Sequence, residues 1–253
     1  CMSTKTSDSF LLNNTIENVT DEDCKKVAHL VDAAKAFARS TYQCVYIIDY
    51  YKKSIVYASE ALAALCGEPV SKIQDFGYNI YREHVSHNEL EVLKELYKKG
   101  SDLFYTFPVS ERMDYSIQYD FHITNGKKAY LIHHTMTPLK LTNDGKIWLT
   151  LCTISLPSIN TSGKCLIKKE GDRTYYQYNF GSHKWEKKTS NVLSDTEREI
   201  LALSAQGYVM ADIANIMCKS IDTIKTCKRN LFAKLGVKNI AEALFYSINH
   251  KLL

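Results

Sequence analysis

The stretch from Leu193 to Leu253 constrains this chain most. Apolar residues return there at helical spacing four times, each time after a capping residue or a turn. Ser194 with Glu197 three residues on has the pattern of a capping box, Ile200, Leu201 and Leu203 face inward, and Gly207 ends the first helix. A second helix over 209–217 buries Ile213, Ala214 and Met217. Ser220 precedes a third, with a core stripe of Ile224, Cys227, Leu231 and Leu235, and Gly236 stops it. Asn239 opens a fourth, which carries Ala243, Leu244, Ser247 and Ile248. Short helix, turn and longer helix in succession have the shape of a helix-turn-helix module.

The chemistry of the third helix follows from its period. With Ile224, Leu231 and Leu235 turned inward, Asp222, Lys225, Thr226 and Arg229 share the opposite stripe. A recognition helix presents such a stripe to base edges in the major groove of double-stranded DNA. Arg229 suits guanine O6 and N7, and Asp222 suits a cytosine amine. Thr223, Lys225, Lys228, Lys234 and the free amides near Ser220 suit phosphates. The pattern leaves open which of Lys225 and Thr226 reads a base. Charge placement agrees: the net charge is only +4, yet residues 219–238 hold six Lys or Arg against one acid, Asp222. A local basic face suits a polyanion, and a solvated helix face is the plain alternative.

Upstream, residues 1–20 are polar and aperiodic and read as a loose tail. Residues 21–39 carry one helical stripe, Val27, Leu30, Val31, Ala34 and Phe37. The period then changes. Residues 44–48 form a continuous apolar run, read as a buried strand, and 54–57 pair back on it as a hairpin. A short helix over 60–66 stops at Gly67, and a loop with Pro69 and Gly77 follows. Ser86 caps a helix over 87–99 that Gly100 ends. Tyr115, Ile117, Tyr119, Phe121 and Ile123 alternate with polar residues as a half-buried strand, and Asn125-Gly126 marks a tight hairpin. Two more strands follow, one stopped by Pro138 and one by Pro157. Residues 163–190 read as extra strands that either extend the sheet or bridge two domains.

Two resemblances are carried by these residues. The run Leu193-Ser194-Asp195-Thr196-Glu197-Arg198-Glu199-Ile200-Leu201, then Ala205-Gln206-Gly207, Asp212-Ile213-Ala214, Ser220-Ile221-Asp222-Thr223-Ile224-Lys225 and Lys234-Leu235-Gly236-Val237 resembles the LuxR/GerE-type helix-turn-helix family closely. The chain departs from that pattern with Ala211, Lys219, Cys227 and Ile240 in place of lysine, an aliphatic residue, histidine and arginine. Residues 24–157 resemble a PAS domain. The expected class is therefore α+β: a PAS-like antiparallel five-stranded sheet with flanking helices, plus a C-terminal all-α four-helix helix-turn-helix domain. The expected layout is a tail over 1–20, a sensor over 21–160, a β-hairpin extension or linker over 161–190 and the DNA-binding domain over 191–253.

Both resemblances imply a transcription regulator. One module buries little DNA, so a homodimer is expected, and the family places its contact on the fourth helix, here Ala241, Leu244 and Ile248. A small-molecule ligand and RNA polymerase are further candidate partners. The cofactor stays unassigned, because His84, His87, His122, His133 and His134 form no evident ligand set and Cys66-Gly67-Glu68 is not a flavin-photosensor motif. Asp49 has no second acidic cluster of the kind a phosphoreceiver needs. No apolar run approaches the roughly 20 residues of a membrane span, and no secretory signal is visible, so a cytoplasmic, non-enzymatic protein is expected. The alternative is a protein-interaction adaptor whose basic helix meets RNA polymerase or an acidic partner.

Overall fold

The computed structural model describes residues 16, 19–158, 162–250 and 252, so the expected tail lies almost wholly outside the described residues. The chain divides into two compact units, Cys1–Ser155 with Ser162–Lys188 and Leu156–Thr161 with Thr189–Leu253. Among the described residues no helix is long and apolar enough to cross a membrane.

The first unit opens with α1 (Asp21–Ser40), β1 (Cys44–Asp49), β2 (Ser54–Ala58) and α2 (Glu60–Cys66). Three helices follow: α3 (Val70–Phe76), α4 (Ile80–His84) and α5 (His87–Phe104). Then come β3 (Tyr115–Asn125), β4 (Lys128–Leu141), β5 (Ile147–Ser155), β6 (Cys165–Lys169), β7 (Thr174–Asn179) and β8 (Lys184–Thr189). The strands make one sheet in the order β2-β1-β5-β4-β3-β6-β7-β8. The α+β class is as expected, but among the described residues the sheet has eight strands rather than five. The reason lies at β3. Without more strands, its first half would be an open edge of unpaired amides. Cys165, Leu166 and Ile167, all buried, pair antiparallel along it, with Ile117 opposite Ile167. The new edge strand, β8, carries Lys184, Glu186, Lys187 and Lys188, charges that discourage further pairing.

The core lies between the sheet and the helices. Tyr46 and Ile48 of β1, Phe121 of β3, Met136 of β4 and Cys152 of β5 join Leu90, Leu93 and Leu96 of α5 in one buried cluster. Tyr81 of α4 packs its ring against Phe121 and, edge-on, against His134. His134 has no exposure. Its Nε2 lies 2.6 Å from the Tyr46 hydroxyl, which is 2.7 Å from that of Tyr81. A buried imidazole cannot be solvated as a cation, and a second histidine, His133, is its neighbour. Burial first and that neighbour second push the His134 pKa down from 6.5 to about 3.

Four local expectations change. The loop with Pro69 and Gly77 is largely helical, because Pro69 stands at the N-cap of α3, where its missing N–H costs nothing. Gly77 has φ +51° and sits where a Cβ would come within 3.0 Å of the Lys53 carbonyl oxygen, so it lets α3 turn into α4 against the β1–β2 hairpin. Gly100 does not end α5, which runs on to Phe104. That glycine is buried because a Cβ there would meet Ile117 Cδ1 at 3.0 Å; it serves close helix–sheet approach. Pro138 lies inside β4 beside an irregularity in the β4–β5 register, a place where a strand tolerates proline. Finally, Gln118 and Asp120 of β3 are buried rather than solvated. The Asp120 carboxylate is held by His133 Nδ1 at 2.6 Å, the pairing a buried charge requires.

The depressed pKa of His134 predicts an acid limb. The unfolded histidine takes up a proton near pH 6.5, whereas the folded one stays neutral down to about 3. Stability is therefore full above pH 6.5 and falls as pH drops through that window, by about 2 kcal/mol between pH 7 and pH 5. His134→Gln should remove that increment from the pH dependence of urea unfolding.

Candidate functional site

The second unit holds α6 (Asp195–Ala205), α7 (Met210–Ile216), α8 (Ile221–Leu235) and α9 (Ile240–Asn249). Each boundary has a local cause. Ser194 accepts from the Glu197 amide and Glu197 reaches back to the Ser194 amide, a complete capping box. Ser220 accepts from the Thr223 amide at 3.1 Å, and Asn239 from the Glu242 amide at 2.9 Å. Cys218, at φ +52°, makes the left-handed step between α7 and α8.

Two small cores orient α8. Ile224 packs with Ile200, Ile213 and Ala214. One heptad on, Leu231 packs with Leu193, Leu201, Leu235, Val237 and Ala243. Ile224 and Leu231 have no exposure. Rotation of α8 is thereby fixed, and Asp222, Thr223, Lys225, Thr226 and Arg229 are all exposed. Asp222 and Lys225 form a solvent-exposed ion pair at 3.3 Å, which is weak in water and easily exchanged for another partner. Lys228 lies at the margin, half-buried, and desolvation holds its ammonium below the usual lysine range. Ser220, Thr223, the Ser220–Thr223 amides and the cations thus gather at the first two turns of α8.

Lys234 is placed differently. Its ammonium is 2.7 Å from Glu197 Oε2, whose side chain is 13% exposed and also accepts from the Ser194 amide. Burial would raise the Glu197 carboxyl, but hydrogen bonds from Lys234 and Ser194 outweigh it and hold the carboxyl below the usual range. Lys234 thus fastens α8 to the start of α6. On α9, Ala241 and Ile248 are exposed, and Leu244 is half-buried against the Leu231 core. Lys219 and Asn230 are also exposed, on or beside α8. The charge count over 219–238 included Lys219, and helical spacing alone did not single out Asn230.

Residues 191–247 match the family described as bacterial regulatory proteins of the luxR family, GerE. The C-terminal unit is a LuxR-type helix-turn-helix domain. The chain is 41% identical to the transcriptional activator protein BglJ of Escherichia coli across 63 residues, 25% of this chain and 28% of that one. It is 37% identical to the response regulator protein VraR of Staphylococcus aureus across 62 residues, 24% of this chain and 30% of that one. The chain spans under a third of the length of these relatives. Among solved structures, the phage VqmA–DPO complex aligns with 90% of this chain and 91% of its own at 14% identity and a TM-score of 0.35. The Vibrio cholerae VqmA dimer aligns with 88% of each at 16% identity and a TM-score of 0.33.

The first unit contains a second candidate site. A cavity of about 70 Å³ lies between the second half of α5 and strands β3 to β6. Leu93, Leu96, Phe104, Ile117, Met136 and Ile167 supply its apolar wall. Tyr50, Tyr97, Tyr105, Tyr115, Tyr119 and Thr150 bring hydroxyl-bearing side chains to it, and among the described residues no Asp, Glu, Lys, Arg or His lines it. Burial first raises the Tyr97 and Tyr105 hydroxyls above the ordinary tyrosine value, so both stay protonated. Tyr115 and Tyr119 line this cavity, and Tyr46 sits in the His134 network. Among the described residues no group of three His, Cys, Asp or Glu is placed to hold a metal.

The LuxR-type domain gives a graded stability test. Ser220→Ala removes the α8 cap and should cost about 1 kcal/mol, whereas Ile224→Ala opens the core and should cost about 2–5 kcal/mol. Native-state amide exchange of α8 should therefore speed up about fivefold for the first and at least thirtyfold for the second.

Proposed function

We propose that this protein is a sequence-specific DNA-binding transcription regulator. Its LuxR-type domain binds double-stranded DNA as a homodimer, and its PAS-like first unit senses a small molecule or a partner and controls that binding. The observation that carries the reading is the exposed face of α8. Asp222, Lys225, Thr226 and Arg229 point away from a core anchored at Ile224 and Leu231, on a helix of the type that enters the major groove.

Within this reading, Arg229 and Asp222 read base edges, with one of Lys225 and Thr226 beside them. Ser220, Thr223 and Lys228 hold phosphates, with Lys225 joining them where Thr226 reads the base. Lys234 adds positive charge at the far end of α8 while tied to Glu197. Ala241, Leu244 and Ile248 of α9 form the dimer contact; Ile248 is an aliphatic side chain 49% exposed, as an unpaired subunit contact would be. Two half-sites then follow from two recognition helices. The uncharged cavity supports a small organic ligand as the signal. RNA polymerase is the partner through which a bound activator would act, and the cytoplasm is where such a protein meets the chromosome.

Selection of binding sites from fragmented genomic DNA, followed by anisotropy titration of the recovered site, tests this. Arg229→Ala should weaken binding by about 1–3 kcal/mol and relax the preference at one position. Lys225→Ala, where it holds a phosphate, should weaken binding to all sequences and lower the salt slope by about one. Unchanged binding in both variants would refute the assignment of α8. Absence of any preferred site at moderate salt would favour an adaptor instead.

A further inference from the structure

Strands β6 to β8 sort their side chains by chemistry. Register and strand alternation fix two faces. Ile117, Ile167 and Tyr176 stand in one row on the face toward α5. Tyr178 and Trp185 join them there, donating to Glu95 and to the Lys99 carbonyl. Lys168 and Tyr175 pair on the opposite, outer face, with the Lys168 Nζ 5.7 Å from the Tyr175 ring centre. On β8, Lys184, Glu186 and Lys188 alternate with Trp185 and so share that outer face. A hydrogen bond from Asn179 Nδ2 to Glu186 Oε1 joins β7 to β8 across it. Lys164 also turns outward, because Cys165 after it pairs with Tyr119 on the inner face. Four lysines thus share a face on which these strands carry one carboxylate, Glu186, 3.3 Å from Lys188 Nζ. Asp120 of the neighbouring β3 is already held by His133. Burial first holds the Lys164 ammonium below the usual lysine range; Asp120 opposes this and the charge of Lys188 adds to it. Like charges are gathered here at a cost that an anion would offset.

The chemistry of the face selects among anionic partners. Protein partners dock on a buried aromatic or aliphatic anchor. Among the described residues, none of the large hydrophobic side chains left exposed falls between 163 and 191. Lysines without such an anchor suit phosphates, where they act as point charges that position a duplex without reading its sequence. The face also lies directly before the DNA-binding domain in the chain, since β8 ends at Thr189 and the family match begins at residue 191. A duplex held by the LuxR-type domain is thereby offered to this face at high effective concentration. We propose that the outer face of β6–β8 is a second DNA contact, in which Lys168, Lys184 and Lys188 bind backbone phosphates of the duplex that the LuxR-type domain reads. This rests on the DNA-binding reading above and adds to it a sequence-independent share of the affinity, contributed by the first unit.

The test uses the full chain and the DNA site recovered by selection. Lys168→Gln/Lys184→Gln/Lys188→Gln should flatten the slope of log affinity against log salt by about two to three per bound protomer, and leave the base preference unchanged. At ~0.1 M salt its affinity for every sequence should fall, by on the order of tenfold. Lys127→Gln/Lys128→Gln removes exposed charge from the β3–β4 hairpin instead and should leave the slope as it is. Acetylation of the unaltered chain gives a readout that no variant's folding can disturb: duplex should slow modification of Lys184 and Lys188 several-fold relative to Lys127 and Lys128. An unchanged slope in the triple variant, an equal change in the hairpin variant, or acetylation indifferent to duplex would each overturn the proposal. If one of these occurs while Arg229→Ala still relaxes the base preference, the DNA-binding reading stands and this face alone is misassigned. A chain that binds no duplex overturns both. Protection of the same lysines by polyglutamate but not by duplex would assign the face to an acidic protein segment and overturn the DNA assignment.

Discussion

A helix that buries Ile224 and Leu231 without exposure has one side left for everything else. That constraint organises the LuxR-type domain. The two residues are a heptad apart and belong to two separate small cores, so α8 can neither roll nor tip without opening one of them. The caps at Ser194, Ser220 and Asn239 set where helices begin, and the Lys234–Glu197 pair fixes the far end of α8 against α6. The exposed stripe is a consequence of this packing. Its residues contribute little to the domain's own stability and are free to be chosen for a ligand.

The first unit follows a different logic. Its sheet would end at β3, and the strands beyond it close that edge with buried aliphatic residues and finish on a charged one. In doing so they contribute Ile167 to the cavity and place Trp185 against α5. The same segment thus serves edge protection, cavity wall and clasp.

Much of this was legible in the sequence, for physical reasons that differ between the units. The helix-turn-helix was readable because its determinants are local: a cap, a glycine stop and a heptad spacing lie within a few residues of one another. The β3–β4 hairpin was readable from Asn125-Gly126, but its register was not: the two-residue turn is Gly126-Lys127, with Asn125 paired opposite Lys128. What could not be read depended on distant neighbours. Gly100 looks like a helix stop until Ile117, on another element, is placed beside it. Asp120 looks solvent-facing until His133 arrives across the ladder. The ion pair of Lys234 with Glu197, 37 residues earlier and 2.7 Å away, has no local signal. The eight-stranded sheet required knowing that β6 returns to β3. A hairpin pattern alone does not specify that pairing.

The central claim is that the outward face of α8 reads bases, and it can be tested at single atoms of the DNA. In a selected site, each guanine can be replaced in turn by 7-deazaguanine, which lacks the N7 acceptor in the major groove. At one guanine the replacement should cost the unaltered protein about 1–3 kcal/mol and cost Arg229→Ala nothing further. Equal losses in both proteins at every guanine, or no loss at any, would contradict the account.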